Sequence, residues 1–191
     1  MGQGCTPLLL CLKIASEEYN RAMSETNTNA MRAQEVLSFS LRTMRGMIEN
    51  MCKELTPQEM LHRPCPEANC AAWILGHLTA TEHRFLTALG EKDVPALPDG
   101  FGQRFSTKGD APKARDFGDV TQLLPMFLQM RDRLIAATER TSAEKLAEPV
   151  DLGSPRIKKK GEMLALAGFH SGLHAGHLST IRRSLGKPAL F

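Results

Sequence analysis

Starting at Val36, the apolar residues Leu37, Leu41, Met44, Ile48, Met51 and Leu55 recur at alternating intervals of four and three. That period draws one apolar stripe along a helix, so a first long helix is predicted over this stretch. "TPQE" follows, with Thr56 as N-cap, Pro57 in the first helical position and Glu59 closing a capping box. Pro64 and Pro66 limit that element to a short helix. A second long helix is expected from Asn69 to Leu89, turning Trp73, Ile74, Thr81 and Ala88 inward and stopping at Gly90. Residues 91–118 hold three prolines and four glycines without a sustained period, which reads as a long loop. Asp119, with Gln122 three residues on, opens a third helix carrying Val120, Leu124, Phe127, Leu128, Leu134 and Ile135. Pro125 is expected to kink its first turns. After an irregular stretch at 141–159, a last helix runs from Gly161 to Leu185 and is stopped by Gly186 and Pro188.

Four amphipathic helices of about twenty residues, with no strand-like alternation, predict an all-α four-helix bundle. The gap between helices two and three could span about 90 Å, against about 30 Å for one helix. It can act as a long crossover that leaves those two helices parallel. Residues 1–30 are expected to be a weakly structured extension ahead of a bundle over 31–191. In that extension "MGQGCT" matches the sparse myristoylation pattern at Gly2, and "LLLCL" is too short, without a basic leader, for a signal peptide or a span.

Composition narrows the partners. A net charge of +3, a pI near 8.7 and 5% aromatic residues do not make a nucleic-acid track. The one dense basic run, Arg156 to Lys160, reads as a solvated loop or helix entry. No membrane partner is expected either. Five cysteines, at 5, 11, 52, 65 and 70, form no CxxC. Cys65 and Cys70 in "CPEANC" read as free thiols, and the whole as a reduced, cytoplasmic protein.

The last helix carries the chemistry. "FHSGLHAGHLSTIRRSLGKP" places His170, His174 and His177 within about 60° of one another on a helical wheel. Met163, Leu166, Leu173, Ile181 and Leu185 share that direction, so the imidazoles are expected in the middle of a buried stripe. Core histidines satisfied by hydroxyls, carbonyls or water are one explanation; ligands to a metal are the other, since His at i and i+4 can converge on one ion. A third ligand would come from His62, His77 or His83. His62 is expected at the surface and His83 on the outer side of helix two, whereas His77 lies among its inward residues. With helices two and four antiparallel, His77 and His174 fall within about a turn of the same level. His77, His170 and His174 could then close a three-histidine site with one position open.

These segments resemble a known family. "NCAAWILGHLTATEHRFL", with Trp73 four residues before His77, and the C-terminal segment, through His170, His174, Gly176, Arg183 and Gly186, look like the two signature segments of the DinB-like, or YfiT-like, superfamily. The resemblance covers roughly residues 31–188. It implies an up-down-down-up bundle, often a homodimer, holding a divalent metal on His77, His170 and His174. Relatives often carry glutamine where this chain has His177, which could support a ligand from behind, act as an alternative ligand or carry a proton. The implied ion is zinc or nickel first, with iron, manganese or cobalt as other choices. Relatives include thiol-dependent S-transferases, isomerases and metal-dependent hydrolases. The expected function is therefore a metal-dependent transferase of thiol S-transferase type, or a hydrolase, acting on a small molecule, with a low-molecular-weight thiol as a candidate partner. A non-catalytic, stress-response bundle that binds metal or a small ligand is the alternative. Arg84 could meet an anionic substrate group or snorkel to the bundle end; Trp73 could line the pocket or simply pack. The 91–118 loop, with Arg104, Lys108, Lys113 and Arg115, is a candidate lid or a solvated loop.

Overall fold

The computed structural model describes residues 30–107 and 117–190. The chain divides into two units, Met1–Arg32 and Ala33–Phe191, and the account below concerns the second. Gly2, Cys5, Cys11, the "LLLCL" run, Lys108, Lys113 and Arg115 lie outside the described residues.

Seven α-helices are described: α1 (Ala33–Cys52), α2 (Pro57–Met60), α3 (Ala71–Leu89), α4 (Phe101–Arg104), α5 (Leu123–Arg140), α6 (Ala143–Ala147) and α7 (Lys160–Ser184). No strand occurs among the described residues; a lone bridge joins Pro149 to Lys159. The protein is all-α, and α1, α3, α5 and α7 are its four long helices. Among the described residues, no helix is long and apolar enough to cross a membrane.

The ends of these helices follow from local chemistry. Thr56 Oγ1 accepts the Glu59 amide and the Glu59 carboxylate accepts the Thr56 amide, the reciprocal box predicted for α2. Gly90 ends α3 at φ 83°, where a side chain would be strained. Pro125 lies inside the third long helix, which continues unbroken past it from Leu123 to Arg140. A 3₁₀ turn at Val120–Gln122 precedes α5, so the proline falls in its first turn, where the missing N–H has no helical partner to lose. The first helix is shorter than its stripe: Leu55 lies beyond Cys52, and Val36 is exposed. The 91–118 stretch is also less open than a bare loop. It contains α4, and Phe101, Phe105 and Phe117 are buried against the core as a chain of ring contacts at 4.6 and 5.9 Å. Likewise 141–159 contains α6, capped by Ser142.

Side-chain pairings give the relative directions. Arg42 pairs with Glu139, and Arg45 with Asp132 at 2.5 Å, so α1 and α5 run antiparallel. Glu82 pairs with Arg131, and Glu91 just past α3 with Arg140, so α3 and α5 run parallel, joined by the long crossover. Gly168 faces Ser40, Gly172 faces Met44, and Arg182 reaches Met51 O at 3.1 Å, so α1 and α7 run parallel. Ala175, Leu178 and Ile181 cluster with Trp73, Leu75 and Leu78, while Met163 and Leu164 cluster with Phe85 and Leu89, so α3 and α7 run antiparallel.

Those apolar clusters are two, and a polar layer lies between them. Arg131, with no exposed surface, donates through Nε to the Glu82 carboxylate at 3.0 and 3.1 Å, through Nη1 to Leu41 O at 3.2 Å and through Nη2 to Ser171 Oγ at 2.5 Å. One guanidinium thereby ties all four long helices together at mid-bundle.

The buried face of α7 differs from the expected one. Leu173 is 52% exposed, His177 is exposed and His170 is half-buried; of the three imidazoles only His174 is buried. The buried positions are Met163, Leu164, Ala167, Gly168, Ser171, His174, Ala175, Leu178, Ile181 and Arg182. Their centre is rotated by about 80° from His170. Small residues explain the shift. A Cβ at Gly168 would sit 2.4 Å from Ser40 Oγ, so α1 packs closely on a side of α7 that large apolar residues do not mark. The histidines consequently occupy the edge of the buried stripe that faces α3.

Candidate metal centre

His77 on α3 and His170 and His174 on α7 are brought together. His170 Nε2 lies 3.1 Å from His77 Nε2 and 3.1 Å from His174 Nε2. Ligand atoms of all three fall within 4.8 Å of one another. The i, i+4 spacing supplies two rings from one face of α7, and the antiparallel register of α3 supplies the third.

Partners outside the cluster fix the orientation of His77. Its Nδ1 is 2.9 Å from Phe105 O. A carbonyl only accepts, so Nδ1–H is the donor, and the neutral ring presents the lone pair of Nε2 to the cluster. That is the outer-shell arrangement found behind metal-bound histidines. Gly76 makes it possible: a Cβ there would lie 2.3 Å from the Phe105 ring, so only glycine lets Phe105 seat against α3. The Trp73 indole, buried one turn before, stacks on the His77 imidazole with centroids 4.6 Å apart and planes 8° from parallel.

Burial holds these rings neutral. It lowers the His77 pKa, against the raising effect of the bond to Phe105 O. It pushes His170 down to about 4, assisted by the charges of His77 and Arg131. It pushes His174 down to about 3, assisted by His170, His77 and His177. At neutral pH three uncharged imidazoles face each other, with at most the one proton of His170 Nε2 shared between the other two Nε2 atoms as a weak, forked bond. A cation engages all three lone pairs. With metal–nitrogen bonds of about 2.0–2.1 Å and angles between about 90° and 109°, ligand nitrogens sit about 2.9–3.4 Å apart. The two 3.1 Å separations fall inside that window. The donor set therefore fits a divalent ion of imidazole-binding type. His174 Nδ1 is buried without a protein partner, so His174 has no such carbonyl support.

The other candidates take different places. His177 is exposed, its ring 5.5 Å from that of His174 and outside the convergent set. His62 lies at the surface, partly covered, with Nε2 2.9 Å from Ser184 Oγ. His83 and Arg84 border a cavity of about 360 Å³ that His77, Thr81, Ser106 and Thr107 also line. Arg84 is exposed and donates to Leu152 O at 3.2 Å. Arg104 is half-buried on α4. Sequence reasoning missed the Phe105 carbonyl altogether, because a backbone acceptor 28 residues away carries no side-chain signal. Gly76, the residue immediately before His77, was the one available hint.

No curated protein matches the chain. A crystal structure described as that of the conserved protein of locus from Enterococcus faecalis is similar in fold, with a TM-score of 0.62 and 20% sequence identity, covering 83% of this chain and 100% of that one. The sequence model of the DinB superfamily matches residues 40–178, a span running from the first turns of α1 through all three clustered histidines. Because that model spans most of the chain, the chain belongs to the DinB superfamily.

Proposed function

We propose that this protein binds one divalent metal ion through His77, His170 and His174 and uses it in a transferase reaction of the thiol S-transferase type, or in a hydrolysis, on a small molecule. The observation that carries the reading is the convergence of three neutral Nε2 atoms beside a cavity of about 360 Å³. Bound there, a divalent ion would supply Lewis acidity, lowering the pKa of a thiol or water at neutral pH. The protein's own residues do the rest. Phe105 O and Trp73 hold His77 in its ligand tautomer and plane. Thr81, Ser106 and Thr107 offer hydroxyls to a polar substrate, and Arg84 offers a cation to an anionic group. Zinc and nickel suit three imidazoles best, with iron, manganese and cobalt as alternatives. Free Cys52, Cys65 and Cys70 suit a reducing, cytoplasmic setting.

A second reading, a non-catalytic metal or small-ligand binding bundle, is favoured by one feature: His177, whose ring lies 5.5 Å from His174, is near enough to act as a fourth ligand after a rotamer change. Elemental analysis of the purified chain beside a His170→Ala, His174→Ala variant tests both. About one ion per chain, lost in the variant, together with metal-dependent turnover of an electrophile by a small thiol, supports the transferase. Metal without turnover, and with affinity that falls on His177→Ala, supports the binding bundle. No metal taken up on reconstitution ends the transferase reading and the metal-binding form of the second.

A further inference from the structure

A thiol activated beside the three imidazoles has to give up its proton, and some group has to take it. Three of the residues lining the cavity of about 360 Å³ carry an ionisable side chain: His77, His83 and Arg84. Among the described residues, no carboxylate, thiol or phenol lines it. Both nitrogens of His77 are committed, Nδ1–H to Phe105 O and Nε2 to the cluster. The Arg84 guanidinium keeps its charge at every accessible pH and donates to Leu152 O at 3.2 Å. The hydroxyls of Thr81, Ser106 and Thr107 can pass a proton on but cannot keep one. His83 is left.

Its ring is free to serve. The His83 carbonyl accepts the Thr87 hydroxyl at 2.9 Å, but among the described residues the imidazole has no hydrogen bond, ion pair or ring contact. An imidazole changes its charge between about pH 5 and 8, so it can both take and return a proton near neutrality. His83 lies about 9 Å along α3 from His77, and helix side chains lean towards the N-terminus, which here is the His77 end. At about 30 Å³ per water, the cavity holds enough water to carry a proton over the remaining distance. His177, one candidate proton carrier from the sequence, opens instead on a separate cavity of about 320 Å³ that Cys65, Asn69 and Thr180 also line.

We infer that His83 is the proton acceptor of the site, taking the proton of a small thiol that enters the cavity beside His77. The inference rests on the transferase reading. The S–H bond breaks, its electron pair stays on sulfur, and the proton bonds to a ring nitrogen of His83. In the transfer, sulfur bonds the electrophilic carbon and the leaving group departs with its bonding pair. His83 then returns the proton to that group, so one imidazole serves as base and as acid.

A proton count tests this without any turnover. Zinc-loaded full chain is titrated with reduced glutathione by calorimetry, in two buffers of different ionisation heat. The pH is held at about 7.5, about one unit below the usual thiol pKa, so most thiols must lose a proton to bind as thiolate. His83→Gln should shed about one proton per bound thiol into the buffer, and the native chain less than about half as many. His83→Gln should keep native zinc affinity, which separates its effect from loss of the centre; His83→Asn carries the test should His83→Gln fail to fold. Equal proton release from native and variant chains overturns the inference while thiol binding still supports the transferase. A rise in release on His177→Ala, and none on His83→Gln, overturns it by moving the role to His177. A zinc-loaded chain that binds no thiol ends the transferase reading, and the inference falls with it.

Discussion

His77 shows how few atoms decide whether an imidazole can be a ligand. Phe105 O fixes which nitrogen carries the proton, and Gly76 decides whether Phe105 can come close enough to do so. Gly76→Ala is therefore expected to destabilise the fold by about 1–3 kcal/mol through overpacking. It should also weaken zinc affinity, because the carbonyl moves with the ring that is displaced. Thermal denaturation and zinc titration calorimetry read the two effects separately, and unchanged zinc affinity in a folded Gly76→Ala protein would remove Phe105 from the site. Cysteines give a simpler check. Burial pushes the Cys52 thiol up to about 12, whereas Cys65 is exposed. Peptide mapping after native alkylation at mildly alkaline pH should find Cys65 modified and Cys52 untouched until denaturant is added.

The facing sides of α3 and α7 act together when pH changes. In the unfolded chain His170 and His174 titrate near 6.5, while the folded values lie near 4 and 3. Between those limits the unfolded chain binds more protons, so the stability these groups confer is fully present above about pH 6.5 and is lost as pH falls towards their folded values. The urea midpoint of metal-free protein should fall over that window. His170→Ala, His174→Ala should flatten the slope, and an equal slope in both proteins would assign the acid sensitivity elsewhere. α7 also shows where pattern reading fails. Its large apolar residues point one way and its close packing another, because Gly168, Ser171 and Ala175 let α1 approach where Leu173 does not. A period computed from hydrophobicity weights side-chain size, whereas burial follows how near the neighbouring helix can come. For α1 the stripe did predict the inner positions Leu41, Ile48 and Met51, because that helix buries large residues.

Across the whole bundle, the Arg131–Glu82 pair lies between two apolar clusters and contacts every long helix. Arg131→Met is expected to cost about 3–5 kcal/mol, since it strands a buried carboxylate among apolar neighbours. Adding Glu82→Leu should restore most of that loss, measured by urea denaturation of the single and double variants. A double variant as unstable as Arg131→Met would mean that the contacts to Leu41 O and Ser171, rather than charge pairing, hold the layer.

What the sequence determined by itself is local: the four long helices, the Thr56–Glu59 box, the Gly90 stop, and the placement of His77 and of the His170–His174 pair on faces able to meet. Each depends on residues within a turn or two, so spacing and cap chemistry suffice. The tertiary structure alone decided that His177 stays outside the cluster, that Phe105 O backs His77, that Arg131 and Glu82 are core residues, and that Phe169 and Leu173 face outward. Those outcomes depend on how closely helices distant in the chain approach, and the small residues and backbone carbonyls that govern the approach leave no periodic mark.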